Sequence, residues 1–156
     1  MEILIRNRSR KKIIPADELR KMATRVMKRL MEDLPFSRSQ VSLLFTDDEP
    51  IRCLNKKYRH VDRPTDVLSF PMLEIDAPQD LANQLIPLGD IVISLETAAR
   101  QASEAGHSLQ KELAILLCHG FLHLLHYDDQ HPKERRRMFA EQKCWLRRFE
   151  EEGLFQ

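Results

Sequence analysis

Apolar residues recur along the chain with two different periods, and these periods predict where strands and helices lie. Alternation of apolar and polar residues predicts strands over residues 2–6, 40–46 and 90–94. Another strand is predicted over residues 66–70, where Pro71 should stop it. The inward positions of the second strand are Val41, Leu43 and Phe45.

Apolar residues at helical spacing predict five helices between and after these strands. The first opens at Pro15, the third is capped by Ser94 and ends at Gly106, the fourth follows Ser108, and the last opens at Pro132. The buried stripe of the first helix comprises Leu19, Met22, Ala23, Val26, Met27, Leu30 and Met31. The short second helix starts around Asp47, Asp48 and Pro50 and carries Ile51, Leu54 and Tyr58. The inward residues of the last are Met138, Trp145, Leu146 and Phe149.

This order of elements predicts an α/β or α+β fold, with a mixed four-stranded sheet covered by helices. Residues 74–87 contain prolines and polar residues without a clear period, so we expect a loop there. A length of 156 residues fits one domain over residues 1–156, with a core of useful size.

Composition argues against several classes of protein. No apolar run approaches 18 residues and the N-terminal residues do not follow the basic-then-apolar order of a secretory signal, so a soluble cytoplasmic protein without membrane partners is expected. The three cysteines, Cys53, Cys118 and Cys144, form no Cys-x-x-Cys pair. A disulfide framework or a thiolate zinc site is therefore not expected.

The net charge is only +1, but the basic residues are clustered. There are three clusters. We interpret the second along the chain, within residues 52–63, as a phosphate-contacting surface. The third, at residues 135–137, is interleaved with glutamates, and we interpret it as a solvated helix face. The first cluster comprises Arg6, Arg8, Arg10, Lys11 and Lys12. The middle cluster comprises Arg52, Lys56, Lys57, Arg59 and Arg63, opposed only by Asp62. The last comprises Arg135, Arg136 and Arg137.

His119 and His123 are the strongest chemical signal in the chain. They lie on the predicted fourth helix, where residues four apart share one face, and two imidazoles on one face suit a metal ion. Two core histidines with satisfied ring nitrogens are the simpler alternative. Four more possible ligands follow where the helix should end, and this crowding favours a metal site. They are His126, Asp128, Asp129 and His131.

Gly120 occupies the place of the general base in the His-Glu-x-x-His pattern of zinc hydrolases. Peptide hydrolysis by that mechanism is therefore disfavoured. A glycine inside a helix costs about 1 kcal/mol relative to alanine, so its presence needs a reason. Space for a bulky substrate beside the metal is one reason, and close packing of the helix is the other.

Three blocks of sequence together resemble the YbeY family of bacterial metal-dependent endoribonucleases. They are LNKKYRHVDRPTDVLSFP at residues 54–71, LGDIVIS at residues 88–94 and HGFLHLLHYD at residues 119–128. The resemblance implies a metal helix packed on the sheet and a zinc-type site. It also implies single-stranded ribosomal RNA as substrate, action in maturation of the 16S 3′ end and in ribosome quality control, and the small ribosomal subunit with its associated factors as partners.

The resemblance carries the family's metal ligands onto His119, His123 and position 129, where this chain has Asp129 in place of a histidine. A carboxylate is a competent zinc ligand, so this set leaves a fourth position for water. His126 replaces a family glycine that supplies positive φ, and histidine is among the residues that tolerate that conformation. His131 or His126 could instead be the third ligand.

Arg59 matches a motif arginine of the family, and we assign it to the scissile or an adjacent phosphate because a guanidinium binds phosphate oxygens in pairs. Its alternative is a structural ion pair with Asp62 or Asp66. Lys56 and Lys57 are expected to add affinity for the RNA backbone without choosing sequence. Arg59 and the ligand His119 are thus the expected catalytic residues.

Two other functions remain open from the sequence. One is a metallohydrolase that acts on something other than RNA. The other is a ribosome-associated RNA-binding factor whose zinc site is structural or activated by a partner. A site closed by four protein ligands, with His126 or His131 added to Asp129, would favour the second, because structural zinc sites lack an open position.

Overall fold

The computed structural model describes residues 1–74 and 84–155. Four strands and five helices alternate there in the predicted order. The elements are β1 (Glu2–Asn7), α1 (Ala16–Met31), β2 (Ser39–Thr46), α2 (Asp48–Arg59), β3 (Val67–Pro71), β4 (Ile86–Ser94), α3 (Leu95–Ala105), α4 (Leu109–Leu124) and α5 (Pro132–Glu151).

The strands form one sheet in the order β1-β2-β4-β3. β1, β2 and β4 are parallel, and β3 pairs antiparallel with β4 at one edge. The fold is therefore α+β with a mixed four-stranded sheet, which confirms the predicted class. Of the helices described, none has the length and apolar character needed to cross a membrane.

The two faces of the sheet are covered unequally. Helices α1, α3, α4 and α5 contribute to the large core on one face, and the predicted stripe of α1 is buried there in full. On the other face, Ile51 of α2 packs with Leu68 and Val92 in a much smaller cluster. Helix α4 contacts α1, α3, α5, β3 and β4, so this central element holds its side chains against rigid neighbours.

The prediction that β4 begins at Asp90 is wrong, because the strand begins four residues earlier at Ile86. The predicted loop over residues 74–87 therefore ends too late, while residues 75–83 lie outside the described part of the chain. Pro87 and Gly89 caused the error, since both usually end strands. A register shift opposite Gln40 accommodates them, with Pro87 and Gly89 pairing with consecutive residues of β2.

Gly89 is required where β4 approaches the edge strand β3. Its φ is +138°, and a Cβ at this position would lie 2.2 Å from the carbonyl oxygen of Phe70. Only glycine allows this approach. The contact keeps β3 beside α4, where the candidate site lies.

Close packing explains Gly120, which faces the sheet rather than an open space. A Cβ on Gly120 would lie 2.9 Å from Cγ2 of Ile91 and 3.2 Å from Oγ of Ser69. Ile91 is only 1% exposed, so it has little room to move. The Ser69 hydroxyl also donates a hydrogen bond to the Gly120 carbonyl oxygen at 3.3 Å. The glycine thus brings α4 close to β3 and β4.

We expect Gly120→Ala to lower the free energy of unfolding by up to about 2 kcal/mol. Overpacking a rigid core costs about 1–3 kcal/mol, and the better helix propensity of alanine returns about 1 kcal/mol. Denaturant titration of Gly120→Ala, Ile91→Ala and the double variant measures the coupling. In the Ile91→Ala background the penalty should vanish, and an equal penalty in both backgrounds would contradict the packing explanation.

Candidate metal centre

Helix α4 presents His119 and His123 together near its C-terminal end. The Ser108 hydroxyl caps the helix by accepting a hydrogen bond from the Lys111 N–H at 3.1 Å, as its sequence predicts. The two imidazole rings meet edge to face, with centroids 4.6 Å apart and planes inclined by 78°. Their side chains are 22% and 26% exposed, so both remain accessible from one side.

The chain turns sharply after α4 and returns towards these rings. His126 has φ of +68°, which confirms that it adopts the left-handed turn expected there. The turn is closed by the Tyr127 N–H, which donates to the Leu122 carbonyl oxygen at 3.0 Å. Beyond it, Asp129 places Oδ2 3.5 Å from Nε2 of His123 and 3.9 Å from Nε2 of His119.

Hydrogen bonds at the far side of each ring fix the tautomers of His119 and His123. Nδ1 of His119 lies 3.0 Å from Oε1 of Gln142, and Nδ1 of His123 lies 3.1 Å from the Tyr127 carbonyl oxygen. Because both oxygens can only accept, each Nδ1 carries the proton and each Nε2 presents a lone pair. Those two Nε2 atoms are 3.1 Å apart.

Two facing lone pairs beside a carboxylate oxygen repel one another, and a cation held between the three atoms would remove that repulsion. The three ligand atoms lie within 4.8 Å of one another, at separations of 3.1, 3.5 and 3.9 Å. In a tetrahedral zinc site with bonds of about 2.0–2.2 Å, ligand atoms are roughly 3.3–3.6 Å apart. His119, His123 and Asp129 therefore fit a zinc-sized ion with only small adjustments.

The surroundings of His123 favour its neutral, ligating form. Burial of the ring lowers its pKa, and the neighbouring His119 lowers it further. Cys118, the neighbour of His119, contributes no ligand: burial raises its pKa to about 12, so the thiol keeps its proton. Cys118 is instead a fully buried core residue.

The other two candidate third ligands point elsewhere. Nε2 of His126 lies 2.5 Å from the carbonyl oxygen of Leu73, so this ring ties the turn to the end of the β3 region. Nδ1 of His131 lies 2.6 Å from Oδ2 of Asp128. The Gln130 N–H and His131 lower the pKa of Asp128 to about 2, and Asp128 in turn raises the pKa of His131, so the two side chains stabilise each other's charged forms.

The candidate ligands open into a cavity of about 450 Å³ between α4, β3 and the end of α2. Arg59 lines this cavity, and its Nη2 donates a hydrogen bond of 2.7 Å to the Ser69 carbonyl oxygen. Thr65, Asp66 and Ser69 also line it. The structure thus brings Arg59 to the same cavity as His119, His123 and Asp129.

The predicted alternative for Arg59, an ion pair with Asp62 or Asp66, is wrong. Asp62 pairs instead with Arg52, at 2.8 Å from Nε. Asp66 accepts hydrogen bonds from the Val67 N–H and from Gln101. The guanidinium of Arg59 therefore keeps donors available towards the cavity.

Lys56 and Lys57 do not line this cavity. Nζ of Lys56 lies 3.8 Å from Oδ2 of Asp62, and Nζ of Lys57 lies 5.2 Å from the centre of the Tyr58 ring. Both are exposed on α2, so any contact they make with RNA is outside the reacting centre.

Gln142 is a site residue that the sequence did not reveal. It lies on α5, 23 residues after His119, and its amide oxygen accepts a hydrogen bond from the Nδ1–H of His119. Neither a motif nor a spacing distinguishes it from the other polar residues of that helix. Through this contact, helix α5 helps to hold the His119 ring in place.

Gln142→Leu should lower zinc affinity about 10–100-fold, because His119 loses the acceptor that orients its ring. Competition with a zinc chelator measures the affinity. Gln142→Glu keeps an acceptor and serves as the matched control, for which we expect tighter binding than in Gln142→Leu. Equal affinity in wild type and Gln142→Leu would show that Gln142 does not position His119.

Comparison with known proteins places the chain among nucleases. The family model described as Endoribonuclease YbeY matches residues 4–150. A protein of Thermoanaerobacter sp. named Endoribonuclease YbeY is 42% identical over 146 residues, covering 88% of this chain and 91% of that protein. One of the same name from Acetivibrio thermocellus is 41% identical over 156 residues, covering 94% and 96%.

A solved structure has the same fold. The solution structure of a Thermotoga maritima protein matches with a TM-score of 0.57 and 28% sequence identity. The match covers 92% of this chain and 86% of that protein. Sequence and structural similarity therefore agree over nearly the whole length.

Proposed function

The chain belongs to the endoribonuclease YbeY family, and from this premise we propose that residues 1–156 form a single metal-dependent endoribonuclease domain. Its substrate is single-stranded ribosomal RNA. It acts in the cytoplasm on the small ribosomal subunit, in maturation of the 3′ end of 16S rRNA and in ribosome quality control.

The single observation that carries a catalytic metal is the pair of facing Nε2 atoms on His119 and His123. They lie 3.1 Å apart with both Nδ1 protons directed away from them, and Asp129 supplies a negative charge at the same point. We assign one Zn²⁺ to these three side chains. When bound, zinc supplies Lewis-acid activation of water and of a phosphate oxygen.

Other groups of the protein orient the metal ligands and bind the substrate phosphate. Gln142 and the Tyr127 carbonyl oxygen hold the imidazoles in their ligating tautomers. The guanidinium of Arg59 binds the scissile or an adjacent phosphate, already oriented by its hydrogen bond to Ser69 on β3. Its fixed positive charge stabilises negative charge that develops on the phosphate oxygens during cleavage.

A purely structural zinc site is disfavoured by the positions of the other histidines. His126 binds the Leu73 carbonyl oxygen and His131 binds Asp128, so neither completes a fourth ligand. Three protein ligands beside an accessible cavity are typical of catalytic rather than structural zinc sites. The same argument disfavours a factor that only binds RNA.

The substrate class is tested with zinc-loaded protein and a labelled fragment that spans the 3′ end of precursor 16S rRNA. We expect cleavage of the single-stranded fragment, loss of cleavage after chelation, and recovery when zinc is returned. The fragment annealed to its complement is the matched control and should resist cleavage. No cutting by protein with zinc bound, or cutting that survives complete removal of metal, would overturn the proposal.

A further inference from the structure

The sheet face opposite the large core carries a groove that α2 leaves uncovered. Leu4, Ser42, Asp90 and Phe70 are register partners across all four strands, and they line the floor of this groove. The groove has a volume of about 640 Å³. Leu4 is 50% exposed, so the β1 end of the groove floor is apolar and open to solvent.

Aromatic rings stand at the α2 side of the groove. Tyr58 is 52% exposed and meets Phe70 edge to face, with ring centroids 5.3 Å apart and planes inclined by 70°. Rings fixed on a rigid sheet face are a suitable platform for unpaired bases, since every base can stack on them.

Unpaired cations stand at the β1 side of the groove. Arg6 and Arg8 line it, are exposed, and have no carboxylate partner within residues 1–74 and 84–155. By contrast, Arg29, Arg52 and Arg100 each pair with an acid. Two free guanidinium groups across the groove from the stacking rings offer separate contacts for the phosphates and the bases of a nucleic acid that spans the groove.

The groove and the metal cavity meet at the edge strand β3. Phe70 lines the groove, while its neighbours Ser69 and Pro71 line the metal cavity. Tyr58 and Arg59 are divided in the same way at the end of α2. Cζ of Arg59 lies 6.0 Å from the centre of the Phe70 ring. A strand of nucleic acid bound at Arg59 can therefore cross this edge and continue into the groove.

We propose that the groove binds the single-stranded RNA segment that flanks the cleaved bond, with a base stacked on Tyr58 and Phe70 and phosphates on Arg6 and Arg8. This assignment rests on the proposed ribonuclease function and extends it to a second binding surface. RNA is favoured over a protein partner because free cations, stacking rings and continuity with the metal cavity occur together.

Asp90 lets the groove discriminate between bases. Its carboxylate is half-buried beside Phe70 and Ser42, and no donor within residues 1–74 and 84–155 binds it. A carboxylate repels phosphate but accepts hydrogen bonds from the amino group of cytosine. A cytidine stacked on Phe70 should therefore be preferred to a uridine, which has no amino group.

The test measures binding rather than cleavage, by fluorescence anisotropy with the full zinc-loaded chain. The probes are labelled 2′-O-methyl oligocytidine and oligouridine, checked on a gel for integrity after each titration. The variants are Tyr58→Ala, Arg6→Ala/Arg8→Ala and Asp90→Ala. Arg25→Ala/Arg136→Ala removes the same charge from exposed helix positions away from the groove and is the matched control.

We expect Tyr58→Ala to raise Kd roughly 5- to 150-fold, the range for loss of one stacked base. Arg6→Ala/Arg8→Ala should reduce the slope of log K against log salt by about 1.4, since each single-strand phosphate contact contributes about 0.7. The control should leave the slope unchanged. Asp90→Ala should abolish the preference for oligocytidine.

Unchanged Kd in Tyr58→Ala together with an unchanged salt slope in Arg6→Ala/Arg8→Ala would overturn the proposal and leave the face to a protein partner. An equal preference for the two probes in wild type and Asp90→Ala would overturn the assignment of Asp90. If the wild-type protein cuts no RNA but its binding of the probes still depends on the groove residues, RNA binding by the groove is supported and the ribonuclease function is refuted. Failure of the groove proposal can therefore be distinguished from failure of the proposed function.

Discussion

His123→Ala is expected to abolish zinc binding and RNA cleavage together. The substitution removes one of three ligand atoms and leaves His119 and Asp129 at a separation of 3.9 Å with no third partner. Loss of a hydrogen bond that only orients a metal ligand weakens metal binding about 10–100-fold. Loss of a ligand itself should therefore weaken it by more than that. Metal analysis after gel filtration and a cleavage assay on the same sample measure both effects.

The fold should survive this change, because the His123 ring is accessible and faces the cavity rather than the core. His60→Gly is a suitable control: it removes an imidazole that does not line the cavity, at a φ of +60° that glycine adopts readily. The control should keep both zinc and activity. A His123→Ala variant that retained stoichiometric zinc would place the metal at some other site.

Arg59→Ala should reduce kcat for RNA cleavage by about 10²–10³ while zinc stays bound. That range is typical when one preorganised donor to developing negative charge is removed. The side chain is exposed and loses a single, part-buried hydrogen bond to Ser69, so the loss of stability should be about 1 kcal/mol. Steady-state kinetics on single-stranded RNA, with zinc measured in parallel, test this directly.

Arg59→Lys separates charge from geometry. It keeps the positive charge but lacks the planar fork, so it should recover only part of the activity. Arg63→Ala removes a nearby exposed arginine that does not line the metal cavity, and it should reduce kcat far less. If Arg59→Ala cut RNA at the wild-type rate, Arg59 would be dispensable and its assignment to the scissile or an adjacent phosphate would be refuted.

The sequence predicted those features that depend on local periodicity. The stripe of α1 and the caps of α3 and α4 follow from side-chain spacing and hydroxyl chemistry alone. The pairing of His119 with His123 is equally local, since helix geometry places residues four apart on one face. For this reason the most distinctive part of the site was visible before the fold was known.

Features that depend on distant contacts were not predictable in this way. Gln142 reaches His119 only because α5 packs on α4, and nothing in the sequence around Gln142 marks it. Whether Asp129 or His131 is the third ligand depends on a turn of a few residues, in which His131 forms a hydrogen bond with Asp128. Likewise, Pro87 and Gly89 indicate a loop unless the register shift against β2 is known.

His119, His123 and Asp129 together are assigned as the catalytic metal centre, and Asp129 is the most specific part of that assignment. The direct test compares Asp129→Ala with His131→Ala for bound zinc and for cleavage of a single-stranded 16S 3′ fragment. We expect Asp129→Ala to lose both bound zinc and cleavage and His131→Ala to keep both. Zinc and cleavage retained in Asp129→Ala but lost in His131→Ala would contradict this assignment.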